Sequence, residues 1–395
     1  MLKQTEGSRA IAEAIALARP EVICAYPITP QTHIVEALGE MVKTHELGGC
    51  EFINVESEFA ALSVAIGASA AGARAYTATS SQGLLFMAEA VYNAAGLGLP
   101  IVMTIGNRAI GAPINIWNDH SDSMSMRDAG WIQLYAETNQ EALDLHIQAF
   151  RLAEELSCPV MVCVDGFILT HAYDRVDVPS TIGAMVGPEA FTEVRYLAHH
   201  KQLRALKLIP QLSSAFRAKF SRISGGLIRS YRTADAETIV VALGSVNGTI
   251  QEVVDEMRDA GVKIGSVSIC SFRPFPLAAV RDALHRAKRI VVIEKCLAVG
   301  LGGIVSDGVR KALSGIVLKG YTVIAGLGGR AITRASLKQL FEDAGNDELE
   351  QVTFLDLNAD TVQHELEREA RVFCQRIAPS WKCNPSSFIR PGPSP

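Results

Sequence analysis

No two cysteines in this chain stand at C-x-x-C spacing, which excludes a zinc knuckle or a ferredoxin-type iron–sulfur cluster encoded here. The eight cysteines (Cys24, Cys50, Cys158, Cys163, Cys270, Cys296, Cys374, Cys383) are scattered, several within expected strands, and read as reduced thiols. No apolar run approaches the length of a spanning helix, and the N-terminus lacks a basic stretch with an apolar core behind it. The cytoplasm is therefore the expected compartment, with no membrane role. A formal net charge of -5 argues against a nucleic-acid binder. What is abundant is small and apolar. Hydrophobic residues make up 48% of the 395, and 32 glycines suit buried parallel strands with tight βα turns in a chain long enough for two cores.

Four polar segments stand out, each after an expected strand. Tyr26-Pro27-Ile28-Thr29-Pro30 follows the apolar run Val22 to Ala25. Its two prolines hold the backbone extended and keep a helix from starting before Pro30, so Thr29 is a hydroxyl on a stiff loop at a strand end. It either faces a ligand, as loops at the carboxyl edge of a parallel sheet do, or caps the helix beginning near Gln31. Next comes Glu51-Phe52-Ile53-Asn54-Val55-Glu56-Ser57-Glu58, ahead of an Ala/Gly-rich helix. Glu58 in its first turn complements the helix dipole, worth roughly 0.3–1 kcal/mol. The small apolar residues behind it also leave a carboxyl little polar company, which suits a proton donor or a short hydrogen bond.

The third segment, Thr77 to Met87, reads as a strand end, a hydroxyl-rich turn and a helix from near Gly83 through Tyr92. Ser80 or Ser81 serves as its cap, and exposed backbone donors there admit a polar ligand. The fourth runs from Ile101 to Arg108 and on through Ala112 to Asp122, with Trp117 in a long polar loop. Arg108 either anchors an organic acid through its planar fork or pairs on the surface with Asp119 or Asp122. Asp119-His120-Ser121-Asp122 has the look of a metal or triad motif, but no further His or Cys lies nearby at a ligand spacing, and no metal is assigned to this chain.

Taken together, Tyr26 to Pro30, Glu58, Ser81 to Met87, Arg108 and Asp119 to Asp122 resemble the α subunit of pyruvate:ferredoxin oxidoreductase and related 2-oxoacid:ferredoxin oxidoreductases. The likeness continues through Arg127 to Trp131, Asn139 to Ala142, Phe272-Arg273-Pro274-Phe275-Pro276 and Gly326-Leu327-Gly328-Gly329-Arg330. It covers roughly residues 1–175 and 230–340. It implies oxidative cleavage of a 2-oxoacid with thiamine diphosphate and coenzyme A, giving an acyl-CoA, carbon dioxide and reduced ferredoxin. By the same resemblance Glu58 activates the cofactor's pyrimidine, Thr29 and Arg108 bind the substrate, and Pro27, Ile28, Ser81 and Gln82 join Glu58 in contacting the cofactor. A Thr at 29 favours a monocarboxylate such as pyruvate, because family members acting on oxalate carry an additional Arg there. Branched-chain 2-oxoacids and 2-oxoglutarate stay open.

Thiamine enzymes hold the diphosphate through a metal bound by a G-D-G segment and a later Asn. This chain has no G-D-G, and Val164-Asp165-Gly166 lacks the first glycine. The resemblance therefore implies one subunit of a hetero-oligomer. A β subunit would supply the other half of the thiamine site with its Mg2+, and β, γ and δ partners the 4Fe–4S clusters that reduce ferredoxin. A non-redox thiamine enzyme subunit, or a structural subunit, is the alternative of another class.

The expected fold is α/β, with two doubly wound parallel-sheet domains. Residues 1–175 form the pyrimidine-binding domain, with strands at 21–25, 51–55, 74–79, 101–106, 131–135 and 159–164. Residues 176–233 form a linker with a short extended piece at Val176 to Pro179 and a basic, solvated helix within Glu193 to Ser224; family members usually carry a longer insertion there. Residues 234–345 form a domain resembling the transketolase C-terminal domain. There Gly300-Leu301-Gly302-Gly303 lacks the strand–helix context of a nucleotide loop and reads as a simple turn. Residues 346–395 are an extension with an unstructured Pro/Ser-rich end from Pro379.

Overall fold

Apolar runs of four to six residues between Gly- and Pro-rich turns make buried strands, and the chain alternates them with Ala- and Leu-rich amphipathic helices. A computed structural model describes residues 2–177 and 191–377. In chain order the elements are β1 (Leu2–Glu6), α1 (Gly7–Ala18), β2 (Val22–Ala25), α2 (Thr32–Lys43), β3 (Glu51–Asn54), α3 (Glu58–Ala70), β4 (Ala75–Thr79), α4 (Ser81–Phe86), α5 (Ala88–Leu97), β5 (Val102–Asn107), α6 (Ser121–Ser125), β6 (Ile132–Tyr135), α7 (Asn139–Leu156), β7 (Val160–Asp165) and β8 (Tyr173–Asp177). There follow α8 (Phe191–Phe220), β9 (Ile228–Tyr231), β10 (Thr238–Ala242), α9 (Val246–Asp259), β11 (Ile264–Ile269), β12 (Ser271–Arg273), α10 (Leu277–Leu284), β13 (Arg289–Glu294), α11 (Ile304–Ala312), β14 (Lys319–Ile324), α12 (Arg334–Gly345), β15 (Val352–Phe354) and α13 (Ala359–Ile377).

Among the described residues these strands make three sheets. One has the order β12-β6-β7-β5-β4-β2-β3, a second β15-β14-β13-β10-β11-β9, and β1 pairs with β8 as a two-stranded ribbon. The two large sheets are parallel except at one edge each, where β12 and β9 run antiparallel. Strand alternation sends side chains to opposite cores. Val102, Val160 and Val162 enter one cluster, while Met103, Ile105, Met161 and Cys163 enter the other. That second cluster also takes Ile239, Val241, Val267, Ile290 and Val292, so one core is shared by both large sheets. β12 ties them further, because the chain leaves β11 of the second sheet and immediately pairs with β6 of the first.

Three expectations need correcting. The basic helix is not a solvated linker: α8 buries Ala205, Ile209 and Phe216, and Lys201 donates to the Ser157 carbonyl at 2.7 Å. Just beyond it, Arg222 grips the buried Asp144 through two nitrogens at 2.7 and 2.9 Å. The helix expected from Gly83 through Tyr92 breaks at Met87 into α4 and α5. The extended piece begins earlier, as β8 from Tyr173, and its end at 178–179 lies outside the described residues, as does the end from Pro379. Gly300 to Gly303 is indeed a turn before a helix. The Glu294 carboxylate accepts the N–H groups of Ile304 and Val305 at 2.7 Å, occupying the place a phosphate would take at α11.

The carboxyl edges of the two sheets meet at Asp165, which ends β7. Its buried carboxylate accepts the Lys295 ammonium at 3.0 Å, the Ser245 N–H at 3.0 Å and the Ser245 hydroxyl, and lies 2.8 Å from His120 Nε2. Burial pushes this carboxyl up, but Lys295 and His120 outweigh burial and hold it well below the usual carboxylate range. A charge so enclosed depends on its partners. Lys295→Met should leave Asp165 under-compensated and cost about 3–5 kcal/mol, read as a lowered midpoint in thermal or denaturant unfolding. An unchanged midpoint would mean that the pair holds nothing together.

Candidate active site

Neighbouring parallel strands β5, β4, β2 and β3 deliver their carboxyl ends to one edge, and all four polar segments emerge there. After β2, the Thr29-Pro30 peptide is cis. Gln31 Nε2 donates to the Tyr26 carbonyl at 2.8 Å, which closes the loop before α2 begins. Thr29 is exposed and its carbonyl accepts Arg108 Nη1 at 2.9 Å. Pro27 is also exposed, and Ile28 partly so.

Arg108, following β5, is only 6% exposed. Its Nε donates to the Asn115 carbonyl at 3.1 Å, so two backbone oxygens fix the guanidinium plane. The surface pairing with Asp119 or Asp122 is not formed. Instead the Arg108 backbone N–H donates to Asp122 at 3.0 Å, and among the described residues no carboxylate forms an ion pair with the guanidinium. Asn115 is itself held from the second sheet. Its Nδ2 donates to the Gly328 carbonyl at 2.9 Å, and the Gly328 N–H donates to Asp119 at 3.1 Å. At Gly329, with φ of 78°, a Cβ would stand 2.2 Å from the Trp117 Cβ, so the Gly-Gly pair lets the second sheet's turn press against the Trp117 loop.

The turn after β4 is strained. Ser81 is buried with φ of 50°, a left-handed conformation that costs a non-glycine residue about 1–3 kcal/mol. It is held by its N–H donating to Asp122 at 2.9 Å and by its hydroxyl, which lies 2.6 Å from the Ala109 carbonyl and beside Gln82 Oε1, two acceptors for its one proton. Two residues on, Gly83 packs against Glu58. A Cβ there would meet Thr79 Oγ1 at 2.5 Å and Glu58 Oε1 at 2.7 Å.

Glu58 begins α3, capped by Ser57, whose hydroxyl accepts the Ala60 N–H at 3.2 Å. The residue is 8% exposed, and among the described residues nothing hydrogen-bonds to its carboxyl group. The buried oxygens Thr79 Oγ1, Ser80 Oγ and Asn107 Oδ1, at the ends of β4 and β5, are also without partners. These unpaired oxygens, together with the unpaired Glu58 carboxyl, suit a hydrogen-bonding group such as an aminopyrimidine. Nothing among these residues offers a metal site.

Sequence reasoning named Asp122 only as a surface partner of Arg108 or part of a metal or triad motif, and missed that it organises this edge. Asp122 is fully buried, and its carboxylate accepts the N–H groups of Ser81, Arg108 and Ser123 and the Asn107 amide, at 2.7–3.0 Å. Burial pushes this carboxyl up to about 6, against the pull of those hydrogen bonds.

Residues 13–211 match the family model described as pyruvate flavodoxin/ferredoxin oxidoreductase, thiamine diP-bdg, and residues 236–337 that of pyruvate:ferredoxin oxidoreductase core domain II. The chain belongs to the pyruvate:ferredoxin oxidoreductase family. Within that family it is 43% identical over 368 residues to pyruvate synthase subunit PorA of Methanosarcina barkeri, covering 86% of this chain and 91% of the relative. It is 41% identical to the PorA of Methanothermobacter thermautotrophicus, over 91% of this chain and all of the relative. Ketoisovalerate oxidoreductase subunit VorA of Pyrococcus abyssi is 37% identical, over 86% and 93% respectively. The solved 2-oxoglutarate:ferredoxin oxidoreductase from Magnetococcus marinus shares the fold, with a TM-score of 0.67 at 19% identity. That alignment covers 87% of this chain and 65% of the solved chain, so this chain spans about two thirds of that structure's length.

The Asp122 carboxyl gives a pH test. Its pKa is raised on folding, so the native state binds the proton more tightly between the ordinary carboxylate value and about 6. Stability contributed by this group is therefore full at low pH and lost as pH rises through about 6. Relative to Asp122→Asn, the wild type should lose stability between about pH 4 and 6 and run parallel above. Curves parallel throughout would contradict the assignment.

Proposed function

We propose that this chain is the α subunit of a CoA-acylating 2-oxoacid:ferredoxin oxidoreductase acting on pyruvate, and that its carboxyl-edge site is half of a thiamine diphosphate site. The carrying observation is a pair of buried groups of opposite charge that face no counter-charge within the described residues: the Glu58 carboxyl, to which nothing hydrogen-bonds, and the Arg108 guanidinium, held by two backbone carbonyls and no carboxylate. Leaving either unpaired in a protein interior is costly unless a ligand completes it. The PorA relatives favour pyruvate, and the VorA relative keeps a branched-chain 2-oxoacid as the second reading.

When bound, thiamine diphosphate supplies the nucleophilic carbon that adds to the ketone and the electron sink for loss of carbon dioxide. Glu58 would hydrogen-bond the pyrimidine ring nitrogen, which favours the tautomer able to take up a proton. Thr79, Ser80, Ser81 and Gln82 would line the same pocket, with Pro27 and Ile28 across from them. Arg108, oriented by the Thr29 and Asn115 carbonyls, would offer Nη2 to the substrate carboxylate, and the Thr29 hydroxyl would donate to the carboxylate or ketone oxygen.

The metal and diphosphate contacts belong on a β subunit, and electron transfer to ferredoxin on the cluster-bearing γ and δ partners. Phe59, Leu85, Phe86 and Trp117 are exposed beside the site, Phe86 at 61% and Trp117 at 53%. Their burial by the β subunit would exclude water from the reacting carbon, across an interface larger than about 2,000 Å².

Two variants test the assignment in the reconstituted complex. Glu58→Gln should assemble normally yet lose about 10²–10⁴-fold in turnover. Near-normal turnover would remove Glu58 from the chemistry. Arg108→Ala should raise the apparent KM for pyruvate by about one to two orders of magnitude, the loss of a charge-assisted pair worth roughly 1.5–3 kcal/mol. Compared across a panel of 2-oxoacids, turnover should favour pyruvate, and a clear preference for oxalate or a branched-chain acid would displace that reading.

A further inference from the structure

Glu6, His33 and His171 come from three separate segments and each presents one ligand atom, all within 4.8 Å of one another. We infer that they form a binding site for a divalent transition-metal ion of the zinc class, separate from the thiamine half-site and independent of the activity proposed above. Two imidazoles and one carboxylate are the donor set that zinc takes when a fourth position stays open to water.

The backbone holds two of the ligands in register. Glu6 ends β1 opposite Tyr173 of β8. On the far side of Glu6, the Gly7 N–H donates to the Ala172 carbonyl at 3.0 Å and the Ser8 N–H to the Thr170 carbonyl at 2.9 Å, which fixes His171 between them. The third ligand, His33, lies in the first turn of α2, which packs on α1. Its Nδ1 stands 2.6 Å from Glu6 Oε1, and its ring lies 4.6 Å from that of His171 at 37°.

An outer partner is also present. Thr170 Oγ1 accepts the Phe167 N–H at 2.8 Å and lies 2.7 Å from His171 Nδ1. That contact orients the ring and leaves Nε2 for a metal, the arrangement by which metal-binding imidazoles are held. Two ligands on one tetrahedral zinc stand roughly 3.3 Å apart, given bonds of about 2.0–2.1 Å. Binding would thus replace the Glu6–His33 hydrogen bond with an outward shift of under about 1 Å. His33 is exposed to solvent, which gives an ion a path in.

The placement gives the ion a structural consequence. It would staple the β1–β8 ribbon to α2, the helix that follows Thr29 and Pro30. An aromatic run continues from His171 to Phe167 at 4.8 Å and from Phe167 to Trp117 at 5.1 Å, reaching the loop that carries Asn115.

The test uses the assembled complex, stripped with a chelator that spares its iron–sulfur clusters and then given zinc chloride alone. Wild type should hold one more zinc per copy of this chain than His33→Ala, and anomalous scattering at the zinc edge should peak among the three side chains. Competition with a chromogenic chelator should show that His33→Ala and His171→Ala each weaken that zinc by more than the roughly 10–100-fold that losing an outer partner costs. Zinc should also raise the wild-type thermal midpoint and leave that of the variants unmoved. Should His33→Ala fail to assemble, Glu6→Gln takes its place in each comparison. Equal zinc content in wild type and variant, or no anomalous peak, would show the cluster to be a hydrogen-bonded one only.

Discussion

Four hydrogen bonds converge on the Asp122 carboxylate, and the shape of the whole carboxyl edge depends on them. Backbone N–H groups at the ends of two neighbouring strands would otherwise point into a buried space with no acceptor. One carboxylate satisfies Ser81 and Arg108 together, holding Ser81 in its left-handed turn and sending the Arg108 side chain toward Thr29. Burial makes that carboxylate expensive, which is why it titrates near 6, and the protein retains it for what it positions.

A second carboxylate does for the two sheets what Asp122 does for the loops. Asp165 gathers Lys295 and Ser245 from the second sheet and His120 from the loop that leads to Asp122. His120 and Asp122 are two residues apart, so the joint between sheets and the geometry of the edge are one connected network. Gly328 and Gly329 add a second tie by bracing Asn115 and Trp117. The second sheet thus orients Arg108 at one remove, through Gly328 and Asn115.

Where burial and strand period agree, the sequence was legible. Val22 to Ala25, Val102 to Asn107 and Val160 to Asp165 lie within a residue or two of their expected positions, because short apolar runs between turn residues admit few other structures. β1 was missed and the start of β8 placed too late because Lys3, Gln4, Asp174 and Arg175 give them the look of polar loops. β12 was missed because three residues carry no period, and only the pairing with β6 makes them a strand. The basic stretch of α8 misled because long cationic side chains can cover apolar surface while reaching buried carbonyls and carboxylates. At the site, Thr29, Glu58 and Arg108 were singled out by their neighbours in sequence. The organising role of Asp122 was not legible, since its partners at 81 and 107–108 are brought to it only by the order of the strands.

On the proposed reading, Glu58 and Arg108 each await a ligand that a partner subunit helps to enclose, beside the exposed apolar side chains Phe86 and Trp117. The central claim is therefore that the chain supplies half a cofactor site. Equilibrium binding of thiamine diphosphate with magnesium, measured on the purified chain alone and again on its complex with the partner carrying the diphosphate half, tests this most directly. The account predicts tight, magnesium-dependent binding for the complex and weak binding for the chain alone. Tight, magnesium-dependent binding by the isolated chain would contradict it.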